Sequence, residues 1–113
     1  MNMTVERLDS GIKKITLRGR MDIEGTNQID CRLSAETSVE KASVIVDLSE
    51  VDFMASVGIG VLVRSCKTLK LCGGKMVLLN PQKVVELVLD RTLVNTLIPV
   101  YYDLKTACEQ VIQ

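Results

Sequence analysis

One hydroxyl stands out in the stretch VDFMASVGIGVL, Val51 to Leu62. Ser56 lies among small and apolar residues, with glycines at 58 and 60. A strand-like run ends just upstream and a helical pattern runs through the stretch, which places the serine at a helix start. The free N–H groups and the dipole of a helix N-terminus favour negative charge. A hydroxyl there has two possible roles. It can cap the helix by accepting an N–H from two or three residues on. It can also receive a phosphate, with Ala55, Gly58 and Gly60 keeping the surroundings low enough for another protein's active site to reach it. The two roles are compatible.

Other constellations offer less. Gly58-Ile59-Gly60 is no dinucleotide fingerprint, because Val63 stands where the third glycine belongs. Asp22, Asp47, Glu50 and Asp52 are scattered acids on turns, the pattern of solvated carboxylates rather than metal ligands. The sequence contains no histidine, which removes His-based triads, proton shuttles and most catalytic zinc sites. Cys31, Cys66, Cys72 and Cys108 form no C-x-x-C pair, so neither a zinc knuckle nor a thioredoxin-like motif is expected. No metal, cofactor or catalytic residue is expected, and with no P-loop and no credible base the chain does not read as an enzyme.

Bulk properties narrow the partners. The 113 residues suit one domain spanning 1–113. Lys and Arg number 14, as do Asp and Glu, and only three residues are aromatic. That balance argues against a nucleic-acid binder, which needs a basic patch and stacking side chains. The start, MNMTVERLDS, has no apolar signal core. No apolar run reaches the length of a membrane span. A cytoplasmic protein with reduced thiols is expected.

The elements that must hold Ser56 follow from periodicity. MTVERL and IKKITLR, split by Asp9-Ser10-Gly11, read as a β-hairpin with Met3, Val5, Ile15 and Leu17 on one face. GRMDIEGT reads as a turn, and Thr26 as the cap of a helix through NQIDCRLSAETSV anchored by Ile29 and Leu33. Ser43–Leu48 is a strand buried on both faces, SEVDF a turn, and 56–72 a helix stopped by Gly73 or Gly74. On that helix Ile59, Leu62, Cys66 and Leu69 share the core face. Val57, Val61, Arg64, Thr68 and Leu71 fall opposite, where Val57 and Val61 suggest a docking surface. MVLLN is a second buried strand, so strand, helix and strand form a βαβ unit. Asn80-Pro81 starts a helix ending near Arg91. NTLIPVYY is an edge strand, and DLKTACEQVIQ a helix capped by Asp103. The fold class is α/β, a mixed sheet of about five strands covered by about four helices.

VIVDLSEVDFMASVGIGVL followed by GGKMVLLNPQ resembles the STAS domains of bacterial anti-sigma factor antagonists. LRGRMDIEGT is similar to that family's early turn, with Asp22 at the turn aspartate, and LIPVYYDLKTA to its last strand and helix. The resemblance covers almost the whole chain. It implies a partner switch. The unmodified antagonist binds an anti-sigma factor that is also a serine kinase of the histidine-kinase-like ATPase class. Phosphorylation of a serine at the start of the second helix releases it, and a PP2C-type phosphatase restores binding. The family's site commonly reads Asp-Ser-Ser-Gly or Asp-Ser-small-Gly. Here it reads Ala55-Ser56-Val57-Gly58, with Ser56 at the modified position. The resemblance implies partner contacts at Asp22, Ala55, Val57 and Gly58, and the outward face adds Val61 and Arg64. The competing expectation keeps the fold but makes Ser56 only a cap, in a scaffold or regulatory subunit acting on a non-transcriptional target.

Overall fold

The computed structural model describes residues 1–112. The chain runs β1 (Asn2–Arg7), a 3-10 turn (Asp9–Gly11), β2 (Ile12–Met21), α1 (Ile23–Glu36), β3 (Ser43–Met54), α2 (Ser56–Leu71), β4 (Lys75–Leu79), α3 (Lys83–Arg91), a second 3-10 turn (Val94–Thr96), β5 (Val100–Tyr101) and α4 (Leu104–Val111). The strands form one sheet in the order β1-β2-β3-β4-β5. β1 is antiparallel to β2, and β2 through β5 are parallel neighbours.

Alternation along the strands splits the core in two. On one face Ile15, Leu17, Val44, Val46, Met76 and Leu78 pack with Ile29 and Leu33 of α1, Leu62 and Leu69 of α2, and Val85 and Leu89 of α3. On the other face Ile12, Ile45, Val77 and Leu79 pack with Ala107 and Val111 of α4. α4 covers only part of that second face. The part left by β1 and β2 is a polar ladder, in which Arg18 Nε lies 2.9 Å from Glu50 and its Nη1 donates to Thr4 Oγ1 at 3.1 Å. Lys14 lies 3.6 Å from Asp47. Paired charges let this surface face water without a covering helix.

Four local expectations are corrected. SEVDF is not a turn, because β3 continues to Met54. Its polar residues Glu50 and Asp52 are exposed while Val51 and Met54 are buried. Val51 pairs with Gly19 and Phe53 with Arg20, so Asp52 is the extra residue of a bulge and strand pairing continues through the acidic composition. GRMDIEGT likewise holds the end of β2 and the start of α1. Asp22, not Thr26, caps α1, and Thr26 is fully buried in the helix. Asn80 does not cap α3. It takes a left-handed φ of 52° and leaves the cap position to Gln82. Gly73, with φ at 80°, ends α2 as its lack of a Cβ allows.

Candidate functional site

β2 and β3 finish side by side, with Met21 paired to Met54. Two register shifts between these strands, at Thr16/Arg18 and Gly19/Arg20, bring their ends level. Each strand then feeds a helix at once. Asp22 leads into α1 and Ala55 into α2, and the Ala55 N–H donates to the Met21 carbonyl at 3.0 Å. Two helix N-termini therefore open on the same edge of the sheet.

At the first of them the Asp22 carboxylate accepts the Gly25 N–H at 2.7 Å. Its other oxygen lies 3.5 Å from Arg20 Nε. The Gly25 N–H, helped by Arg20, holds the Asp22 carboxyl below the ordinary aspartate value. Arg20 in turn lies over the ring of Phe53, 4.2 Å from its centroid. This Arg20–Phe53 pair has no motif in the sequence. It arises because the two residues are register partners.

At the second N-terminus Ser56 is the first helical residue and is exposed. The cap position belongs to Ala55, extended at φ −95° and ψ 173°, and no side chain caps the helix. The expectation that Ser56 caps α2 is thus corrected: it stands one residue too late, and its hydroxyl makes no hydrogen bond among the described residues. The Ala55 carbonyl accepts from Gly58 N at 3.0 Å and Ile59 N at 3.2 Å. The N–H groups of Ser56 and Val57 have no acceptor among the described residues.

The two glycines differ in purpose. A Cβ on Gly58 would lie 3.1 Å from Met21 Cβ and 3.3 Å from Met54 Cγ. Gly58 lets the first turn of α2 settle on the two methionines that end the strands. A Cβ on Gly60 would meet nothing within 4 Å, and Gly60 is exposed one turn beyond Ser56.

The outward face of α2 is also corrected. Val61 is 3% exposed and belongs to the core. α2 packs on the sheet and on α1 together, which widens its buried arc to Gly58, Val61, Leu62, Ser65, Cys66 and Leu69. Ile59 and Val57 are half-buried. The exposed stripe is Ser56, Gly60, Arg64, Lys67 and Leu71. Arg64 is ion-paired with Asp30 of α1, a partner sequence reasoning missed. The site therefore gathers Asp22, Ala55, Ser56 and Val57 at the sheet edge, with Arg64 two turns along and Gly58 beneath.

Three of the four acids weighed as metal ligands are otherwise engaged, Asp22 at the start of α1 among them, and the fourth, Asp52, is exposed. Asp47 accepts the Ser49 N–H at 2.9 Å, and Glu50 pairs with Arg18. Among the described residues no group of three or more Cys, Asp or Glu side chains could hold a metal ion. No helix among them is long and apolar enough to cross a membrane.

A mixed five-stranded sheet with four helices and two helix starts at one edge is the fold of anti-sigma factor antagonists, as solved structures show. An anti-sigma factor antagonist from Mycobacterium paratuberculosis superposes with a TM-score of 0.86 at 22% identity, over 99% of this chain and 94% of that one. The unphosphorylated anti-sigma factor antagonist SpoIIAA gives 0.74 at 21% identity, over 93% and 92%. The phosphorylated form of SpoIIAA, a Bacillus cell fate determinant, gives 0.70 at 21%, over 97% and 99%. At these identities the likeness is one of fold. In sequence, the candidate anti-sigma factor antagonist BtrV of Bordetella bronchiseptica is 27% identical over 78 residues, 69% of this chain. The chain spans 66% of that relative's length. The family model of the STAS domain matches residues 4–107. This chain belongs to the STAS domain family.

Proposed function

We propose that this chain is a phosphorylation-controlled partner-switching regulator of the anti-sigma factor antagonist kind, with Ser56 as the switch. The observation that carries the proposal is the state of Ser56: exposed, first in α2, and with a hydroxyl that makes no hydrogen bond among the described residues. The chain does no chemistry of its own. The unmodified form binds an anti-sigma factor that is also a serine kinase of the histidine-kinase-like ATPase class. That kinase phosphorylates Ser56, and a PP2C-type phosphatase reverses the step.

The physics of the switch is local. A phosphoserine carries a charge of about −1.5 to −2 near neutral pH. Beside the free N–H groups of Ser56 and Val57 that charge is tolerated by the domain, so the fold persists. Against a partner it must be desolvated, and it adds to the negative charge of Asp22 on the same edge. The contact surface consists of Ser56 with Ala55, Val57, Gly60 and Asp22, and Arg64 further along the stripe. Gly58 supports it from beneath, and Val61 takes no part.

Incubation with such a kinase and ATP tests the proposal, read by intact mass. One phosphate is expected on the wild type and none on Ser56→Ala. Equal labelling of the two proteins would place the modification elsewhere.

A further inference from the structure

The pole of the molecule opposite Ser56 carries an apolar knob and an apolar recess. α2 has 16 residues and so spans roughly 24 Å, from Ser56 at one end of the sheet to Leu71 at the other. Leu71 is 89% exposed. The 38–41 segment flanks it, held by the Lys41 N–H on the Cys72 carbonyl at 2.8 Å. Lys70 Nζ reaches the Leu97 carbonyl at 3.5 Å on the other side. Val39, 47% exposed, and Leu97, 48% exposed, belong to the two segments tied to the end of α2.

On the same pole, but on the α4 side of the sheet, Leu8, Ile12, Cys108 and Ile112 line a recess of about 450 Å³. Ile12 and Lys75 both pair with Ser43, which sets the recess level with the end of α2. Lys75 Nζ donates to the Gln110 carbonyl at 2.8 Å and ties the end of α4 to this pole.

Single exposed leucines need no explanation. A knob beside a recess with rims of opposite charge does. Around the knob stand exposed Lys41, Lys67 and Lys70 against one acid, Glu40. Around the recess stand exposed Asp9 and Glu109 against one base, Arg7. We infer that this pole binds a second copy of the chain as an isologous dimer, the Leu71 knob of each copy seated in the recess of the other. A two-fold axis between knob and recess satisfies both contacts at once and closes the assembly. The lysine rim then meets the acidic rim twice. Each Ser56 lies at an outer end of the dimer, so both remain open. The dimer forms without any partner or phosphate, and it stands or falls independently of the role proposed for Ser56.

Sedimentation equilibrium of the full chain from about 1 μM to about 1 mM tests the inference, a range that spans weak to moderate association. The mass is expected to rise with concentration from 12.5 kDa to twice that value and stop there. Leu71→Asp removes the knob, and Glu109→Lys reverses an exposed charge on the recess rim. Each should weaken dimerisation at least about tenfold, a loss of roughly 1.4 kcal/mol, with an unchanged circular dichroism spectrum. An equimolar mixture of the two variants should associate more tightly than either alone, since one intact knob then meets one intact recess. A wild type that stays monomeric throughout, assembly that continues past the dimer, or a dimer indifferent to Leu71→Asp would overturn the inference.

Discussion

Gly60→Ala separates the two reasons for placing a glycine in α2. Gly60 lies inside the helix at a φ that is not positive, so alanine fits its backbone. The new Cβ meets nothing within 4 Å. The change therefore keeps only the helix-propensity gain, about 0.5–1 kcal/mol, which is a rise of a few degrees in Tm for a domain of this size. Gly58→Ala offers the same gain, but its Cβ would press on Met21 at 3.1 Å and on Met54 at 3.3 Å. Its stability should fall below that of Gly60→Ala. Urea unfolding followed by circular dichroism orders the two variants. A glycine that costs stability at an open position is explained by what covers it. Gly60→Ala should thus bind the kinase-type partner more weakly while being more stable. Destabilisation by Gly60→Ala would show that the helix is not open there. Unchanged partner affinity would remove Gly60 from the contact surface.

The rotation of α2 gives a second test. Val61→Asp buries a carboxylate with no partner and should cost about 3–5 kcal/mol in urea unfolding, whereas an outward Val61 would leave stability nearly unchanged. Leu62→Ala, at a fully buried position, should cost about 2–5 kcal/mol and leave partner affinity intact when measured on folded protein. Acid stability tests the tie between α1 and β2. Lys13 lies 2.9 Å from Glu36 Oε1 and holds the Glu36 carboxyl below its ordinary value of 4.5. A depressed folded-state pKa stabilises above the unfolded value and loses that contribution as pH falls through the folded one. The stability advantage of wild type over Glu36→Gln should therefore shrink as pH is lowered from above 4.5. An advantage that does not change with pH would exclude the pair.

Much of the fold is legible in the sequence because its signals are local. Ser43–Leu48 is nearly continuous apolar and Met76–Leu79 wholly so, and the pattern between them has helical period. The start of α2 at Ser56 follows from those alone. What escapes depends on neighbours distant in sequence. The polar half of β3 looks like a turn until β2 is seen beside it, pairing Arg20 with Phe53 and Met21 with Met54. Val61 looks outward on a helix with one buried face, and becomes core because α1 supplies a second. Thr26 is a good cap by type, but Asp22 stands where the chain leaves β2. At the candidate site the serine and the aspartate are readable, while Arg20 and Asp30 enter only through strand register and helix packing.

The central claim, that Ser56 controls partner binding, is tested most directly by titrating the kinase-type partner calorimetrically against folded Ser56→Ala and Ser56→Asp. Ser56→Ala should bind as the unmodified protein does. Ser56→Asp should keep its unfolding midpoint and lose affinity by at least about tenfold, since roughly 1.4 kcal/mol of lost binding energy suffices. Equal affinities for the two variants would contradict the account and leave Ser56 as an exposed helix residue without a regulatory role.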